Sequence, residues 1–286
     1  MFRWKMTTRT APWTPRPAPA PPSNLPPATM NGPRCRITFI NHATVLIQYA
    51  GMNLITDPIW NDRASPFSWI GPRRFSPPGV PFENLPKIDF ILLSHNHYDH
   101  LDLSTLRRLT ARDNPQIIVP LGLAGFLSRN GTETGKEMDW WDAIGPITCV
   151  PAQHFSARSI IDRNATLWCG YWIETIAGPI YFAADTAFGP HFEEIRRRLH
   201  RPKLALLPIG AYKPEWFMSP IHMSPVQAVE AHRILEPERS IAIHWGTFQL
   251  ADDGYDEPVI ELEKALAEYP QLPPFQALEN GAALEI

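Results

Sequence analysis

The chain has 286 residues, 44% hydrophobic and 19% charged, with a formal net charge of −3 at pH 7. That length supports one large domain or two small ones with a substantial core, in an ordinary globular balance. The charge excludes a global attraction to nucleic acid or to an anionic membrane, so any such binding has to come from a local patch.

Three cysteines, Cys35, Cys149 and Cys169, form no CxxC pair. An odd count of this kind argues against a disulfide framework and points to a reducing, cytoplasmic compartment. The longest apolar runs, such as Ile88 to Leu93, are too short to cross a bilayer. No apolar stretch of the signal-peptide kind follows the basic residues near the N-terminus.

In chain order, residues 1–33 are rich in Pro, Ala and Thr. Such a segment cannot bury enough surface to order itself, which predicts an extended, polyproline-like arm outside a domain spanning 34–286. The alternative is an anchor that docks on the domain or on a membrane through Phe2, Trp4 and Trp13. From Arg34 onward, RITFI, TVLIQYA and MNLITD are short β-rich runs separated by turn residues. A long loop dense in Pro, Gly, Arg and aromatic residues follows, and loops of that length inside a compact domain are usually functional. KIDFILLS is a continuous apolar strand that runs into a histidine cluster. DLSTLRRLTAR predicts a helix capped by Asp102 or Ser104, QIIVPL a strand, and LAGFLSRN a short helix ended by Gly131. In the second half PITCVPAQH, TLWCGYWIET, GPIYFAADT, LALLPIG and SIAIHWG read as strands. HFEEIRRRLH and the segment from Pro225 read as helices, the latter with Ser224 as cap and Gln227 closing a capping box. The chain is therefore mixed α and β, and no fixed-period repeat stands out.

The chemistry concentrates in SHNHYDHLD, which holds His95, His97, Asp99 and His100. In extended geometry His95, His97 and Asp99 point the same way, and the turn that follows lets His100 join them. Three later residues share one position: His154, Asp185 and His244 each follow an apolar strand and precede a loop, where α/β proteins place their sites. A lone histidine at a strand end is more often structural, but four candidate ligands within six residues are not explained that way. Imidazole and carboxylate ligands suit zinc or another borderline first-row metal.

HxHxDH followed by a distant His, Asp and His resembles the metallo-β-lactamase superfamily. Longer stretches resemble the N-acylphosphatidylethanolamine-hydrolysing phospholipase D family, from about Arg36 to the C-terminal region. They are HATV from His42, TDPI from Thr56, RASP from Arg63, GPRRF, SHNHYDHLD, PLGL, DWW from Asp139, DTAF, PIGAYKPEWFM and AIHWGTF. The resemblance implies an α/β four-layer αββα sandwich with the metals at one edge of its two sheets. It implies that His95, His97 and His154 bind one metal, that Asp99, His100 and His244 bind the other, and that Asp185 bridges. Two zinc ions are expected, with iron and manganese left open. The family's glycine before HATV is Asn41 here, and its GDTGY is Ala184 to Phe188, which keeps the aspartate but loses both glycines and an aromatic hydroxyl.

A cation pair about 3.5–4 Å apart lowers the pKa of a water between them toward neutrality, and the resulting hydroxide attacks phosphorus in line. For the family reaction the products are phosphatidic acid and an N-acylethanolamine. Asp185, Asp99 and His222 are the catalytic candidates; Asp185 orients the nucleophile, and His222, beside a helix start, donates to phosphate or to the leaving group. His42, Arg73, Arg74 and Tyr212 are the substrate-contact candidates. Trp60, Phe67, Trp69 and Ile70 either dip into a membrane interface or pack over the core. Trp140, Trp141, Trp216 and Trp245 read as core or pocket wall, and His191, His200 and His232 as structural or exposed. The expected partner is a phospholipid, met by peripheral membrane contact from the cytoplasm, with a homodimer left open and no nucleic acid. The competing readings are a lactonase or nuclease on the same scaffold, and a non-catalytic metal- or lipid-binding protein.

Overall fold

In the computed structural model, residues 13–17, 25–132 and 135–286 are described. Phe2 and Trp4 lie outside them. The chain folds into two seven-stranded sheets packed face to face, with helices outside each sheet.

The first sheet is built from β1 (Arg36–Asn41), β2 (Thr44–Tyr49), β3 (Met52–Thr56), β4 (Phe90–Leu92), β5 (Gln116–Pro120) and β6 (Lys136–Met138). Its strand order is β14-β1-β2-β3-β4-β5-β6, with β14 (Ala283–Glu285) returning from the C-terminus. The second contains β7 (Ala143–Ile144), β8 (Ile147–Val150), β9 (Gly170–Ile173), β10 (Ile180–Phe182), β11 (Leu204–Pro208), β12 (Arg239–Ile243) and β13 (Phe275–Ala277), in the order β13-β12-β11-β10-β9-β8-β7. Each sheet is half antiparallel meander and half parallel. Pairing is parallel from β3 to β6 and from β10 to β13.

The strand periodicity of two explains the layers. Val45 and Ile47 face the inter-sheet core with Phe39, Leu54, Tyr171, Phe182 and Leu206, while Leu46 between them faces outward. That outer face is covered by α1 (Leu103–Asp113) and α2 (Leu123–Arg129) through Leu106, Leu109, Leu123 and Leu127. On the second sheet Tyr171 and Ile173 point inward and Trp172 outward, against α3 (His191–Leu199), α5 (Pro225–Leu235) and α6 (Glu257–Ala267). A further short helix, α4, spans Glu215–Met218. Strands apolar on both faces are what a buried sheet needs, which is why SIAIH and LALLP read as unbroken apolar runs.

Of the two cap candidates for α1, Asp102 takes the position and accepts from the Ser104 and Thr105 amides. The capping box of Ser224 and Gln227 forms as the spacing predicts. The arm holds on at two places. Trp13 is buried, donates its indole N–H to the Asp253 carbonyl at 2.9 Å, and meets Phe75 and Tyr255 edge-on. Further on, the Pro27, Ala28 and Met30 carbonyls accept from Gln48, Asn53 and Gly51 of the β2–β3 hairpin. No helix among the described residues is long and apolar enough to cross a membrane.

Candidate metal centre

Six strands from both sheets end at one edge of the sandwich, and the residue or loop after each brings a polar side chain there. These are His42 after β1, Asp57 after β3, the His95–His100 turn after β4, His154 after β8, Asp185 after β10 and His244 after β12. Reversing the chain so abruptly forces left-handed backbone: φ is 48° at His42, 34° at Asp57, 53° at Ala184 and 59° at His244. For non-glycine residues that costs on the order of 1–2 kcal/mol each, a cost concentrated where the candidate ligands converge. Gly210, after β11, is needed for a different reason, since a Cβ there meets the His244 carbonyl oxygen at 2.1 Å.

The candidate ligand atoms fall into two main groups. His95, His97, His154 and Asp185 form one set, Asp99, His100 and His244 form another with His42, and Asp185 and His244 also lie together with His222. Asp185 Oδ2 lies 3.1 Å from His244 Nε2, 3.2 Å from His100 Nε2, 3.6 Å from His154 Nε2 and 3.9 Å from His95 Nε2. Asp99 corrects the simple strand geometry. A turn begins at Tyr98, with the His100 and Leu101 amides donating to the His97 carbonyl, so Asp99 turns away from His95 and His97 and joins His100.

The hydrogen bonds outside the ring decide which nitrogen carries each lone pair. His154 Nδ1 must donate to the Ile221 carbonyl at 2.7 Å, and His100 Nδ1 to Asp57 Oδ2 at 2.7 Å, because both partners only accept. Ser94 Oγ donates to Asp57 Oδ2 at 2.6 Å and therefore accepts from His95 Nδ1 at 2.8 Å. The Nε2 atoms of His95 and His154 thus aim lone pairs inward, and His100 also turns its Nε2 inward. His95 and His154 Nε2 both face His97 Nδ1, at 2.9 and 3.2 Å, and one proton cannot serve both well. His100 Nε2 is buried facing two carboxylates, a place for a proton or a cation, and Asp185 Oδ1 is buried without a partner. Acceptors packed against acceptors in a dry site are unfavourable unless cations lie between them. The donor set therefore fits metal ions of the borderline N/O-binding kind.

The electrostatics follow the same division. Burial, together with neighbouring histidines, holds His95 well below the ordinary imidazole range and His97 at about 3. Burial also opposes charge on His100 and His244, but Asp185 and Asp99 outweigh it. They hold His100 well above its usual value and His244 at about 9. Burial raises the carboxyls of Asp99 and Asp185, yet His100 and its neighbours pull both well below the usual range. The centre keeps its carboxylates ionised and asks for positive charge.

A family model for the β-lactamase superfamily domain matches residues 52–245, well over half of the chain. The chain belongs to the metallo-β-lactamase superfamily. Within it, the chain is 40% identical over 234 residues to N-acyl-phosphatidylethanolamine-hydrolyzing phospholipase D 1 of Caenorhabditis elegans, covering 76% of this chain and 65% of that protein. It is 36% identical over 251 residues to the mitochondrial N-acyl-phosphatidylethanolamine-hydrolyzing phospholipase D of Saccharomyces cerevisiae, covering 83% and 53%. The chain thus spans 53–65% of the length of these two relatives. Igni18, a metallo hydrolase of Ignicoccus hospitalis, shares the fold with a TM-score of 0.64 at 21% identity, over 88% of this chain and 98% of that one. The αββα architecture expected from the sequence is the one found.

The substrate-contact candidates lie outside the cavity beside this centre. A cavity of about 720 Å3 opens beside the metal centre, floored by His97, Asp99, Asp185 and His222 and walled by Phe155, Ile160, Phe217, Met218, Ile221 and Leu250. His222 is there, its ring 5.0 Å from that of His154 and 5.2 Å from that of His244. None of His42, Arg73, Arg74 and Tyr212 lines this cavity. His42 is buried behind Asp99 and meets its Oδ2 at 2.9 Å. Arg74 is buried and engaged with Asn41 Oδ1 and the Ile59 and Asn61 carbonyls, over the Phe248 ring. Asn41, where the family has glycine, is its partner. Tyr212 is buried beside Ala211, and Arg73 is exposed on the long loop. Trp216 is 74% exposed rather than core, and Trp60 is tied to the body by its indole bond to the Val80 carbonyl. His191 and His232 are buried and structural, and His200 is exposed.

Two residues went unassigned in the sequence. Asp57 orients His100 directly and His95 through Ser94, so one buried carboxylate sets the tautomer of a histidine in each group. Its signal was visible: like Asp185, Asp57 follows an apolar strand and precedes a turn. Ser94 carried none beyond its place next to His95.

Proposed function

We propose that this chain is a metal-dependent phosphodiesterase of the phospholipase D type. It hydrolyses N-acylphosphatidylethanolamine-like phospholipids to phosphatidic acid and N-acylethanolamine. The observation that carries the reading is Asp185 Oδ2, which faces imidazole nitrogens of both groups within 3.9 Å. Such placement suits a carboxylate bridging two ions, with His95, His97 and His154 holding one, and Asp99, His100 and His244 the other. Held there, a zinc pair would supply Lewis-acid charge and a water of lowered pKa.

The chain's own residues do the rest. Asp185 orients the attacking water on the floor of the cavity. Asp99 is held by His42, so its carboxylate keeps one direction. His222, on the cavity wall and held well below the usual imidazole range by burial, accepts and donates hydrogen bonds as a neutral ring. It is placed to contact a phosphoryl oxygen or the leaving group. The apolar wall suits acyl chains and excludes water from the reacting phosphate. The names of the worm and yeast relatives support this substrate class.

The test joins elemental analysis of the purified protein to turnover of a lipid panel, with RNA and lactones as controls. We expect two metals per chain, release of N-acylethanolamine, loss of turnover after exhaustive chelation, and loss of both metal and turnover in Asp185→Asn. Full turnover by metal-free protein ends the proposal, and cleavage of RNA or lactone alone moves the chemistry to another substrate.

A further inference from the structure

A second cleft, of about 420 Å3, lies across the 158–160 loop from the catalytic cavity, and Ser159 lines both. Its walls carry Arg63, Arg107 and Arg158, with Asp102 as the one acidic residue. Among the described residues none of these arginines has a carboxylate within ion-pair distance. Elsewhere Arg108, Arg112, Arg196, Arg198 and Arg233 are all paired. Asp102 does not neutralise the cleft by direct contact. Its two oxygens already accept from the Trp60, Asn61, Ser104 and Thr105 amides, the Asn61 side chain and the Thr105 hydroxyl. Asp162 sits beside the cleft, accepting from the Arg158 and Ser159 amides, so three arginines face two nearby carboxylates and the cleft keeps a local positive excess in a chain whose net charge is −3.

Each guanidinium is fixed along one edge. Arg63 donates Nε to the Ser68 carbonyl and Nη1 to the Gly71 carbonyl, and Arg107 donates Nη2 to the Asn130 carbonyl. Arg158 donates Nη1 to the Asn96 and Leu101 carbonyls, either side of the His97–His100 turn, and stacks 3.8 Å over the Tyr98 ring. Arg158 is further engaged with the Tyr98 side chain, whereas Nη2 of Arg63 and Nη1 of Arg107 have no acceptor among the described residues. Guanidinium groups of three arginines gathered on one cleft, with unclaimed donors on Arg63 and Arg107, match the oxygens of a phosphate group. The rims point to where that phosphate would come from. Ser65 and Pro66 of the wall lead into Phe67, Trp69 and Ile70, and Ser159 leads into Ile160 and Ile161, which are 99% and 92% exposed.

We infer that this cleft is a phosphate-group subsite separate from the metal centre, placed to take an anionic headgroup beside the catalytic cavity. It does not rest on the proposed reaction. Arg107 touches nothing at the metal centre, and its loss leaves metal content and hydrolysis of a soluble diester unchanged.

The test compares the metal-loaded wild type with Arg107→Gln and with Arg63→Gln/Arg107→Gln. Binding is measured to phosphatidylcholine vesicles, to vesicles also containing phosphatidylglycerol, and to inorganic phosphate. Each arginine removed weakens binding to the anionic vesicles by about fivefold, with phosphatidylcholine binding unmoved. If the substitutions weaken inorganic phosphate alone, the subsite stands and its ligand is soluble. If they leave both phosphate and anionic vesicles unaffected, the subsite is refuted. Arg107→Glu on this exposed side chain serves as the folding-safe second variant and should weaken binding further than Arg107→Gln.

Discussion

Asp57→Asn is the sharpest test of how the centre is assembled. The carboxylate is fully buried and accepts three hydrogen bonds: Oδ1 from the Ser94 amide at 2.7 Å, Oδ2 from Ser94 Oγ and from His100 Nδ1. Asparagine has the same shape but a single acceptor. The Ser94 amide can only donate, so it claims the asparagine oxygen, and the new NH2 faces His100 Nδ1 and Ser94 Oγ. His100 then has to present a lone pair at Nδ1 and carry its proton on Nε2, the atom aimed at Asp185 and Asp99. Ser94, now accepting, turns its own proton toward His95 Nδ1 and drives the same flip there. Loss of an outer hydrogen-bond partner of this kind costs 10- to 100-fold in metal affinity, or about 1.4–2.7 kcal/mol, and here it acts on both groups. Competition against buffered chelators, with elemental analysis, measures it. We expect both affinities to fall by at least tenfold while the unfolding midpoint of the metal-free protein moves little. Retention of both metals with affinities within about threefold of wild type would refute the tautomer argument.

Three further outcomes follow from the same structure. His42, held near 3, and His191 and His232, held near 4, are all pushed down first by burial. Unfolded, each titrates near 6.5, so below that pH the unfolded chain binds more protons than the folded one. Stability is therefore present above about 6.5 and is lost as pH falls toward 4, by up to about 1.4 kcal/mol per pH unit for each histidine. Urea titrations at several pH values should show His232→Gln with a shallower loss than wild type, and parallel curves would contradict the assignment. Arg74→Lys breaks a buried fork of hydrogen bonds and should cost roughly 1–3 kcal/mol in denaturant unfolding while leaving KM unchanged; a raised KM at unchanged stability would return Arg74 to the substrate. Trp13→Ala should cost roughly 1–3 kcal/mol, less than a core tryptophan because the arm can detach locally, and cleavage within residues 13–17 by limited proteolysis should speed up.

Much of the centre was legible because metal ligands must be particular side chains at strand ends. His95, His97, Asp99 and His100 crowd into one short stretch, and His154, Asp185 and His244 each close an apolar run. The alternating two-faced strands likewise announce buried sheets with helices outside. What sequence order does not contain is direction after a turn. Whether Asp99 joins His97 or His100 depends on the reversal that begins at Tyr98. Arg74 and Tyr212 sit in polar-looking, loop-rich stretches, yet the fold closes over both.

The three cleft arginines are 44 and 51 residues apart along the chain, counting from Arg63 to Arg107 and from Arg107 to Arg158, and nothing local relates them. The sequence by itself marked the candidate ligands, the strand and helix periods and the superfamily, since these reside in residue type and local spacing. Only the tertiary structure decided which lone pairs face inward, which cations stay unpaired and which candidates are sealed from solvent. Those depend on contacts between segments distant in the chain, and such contacts form only when the two sheets close on each other.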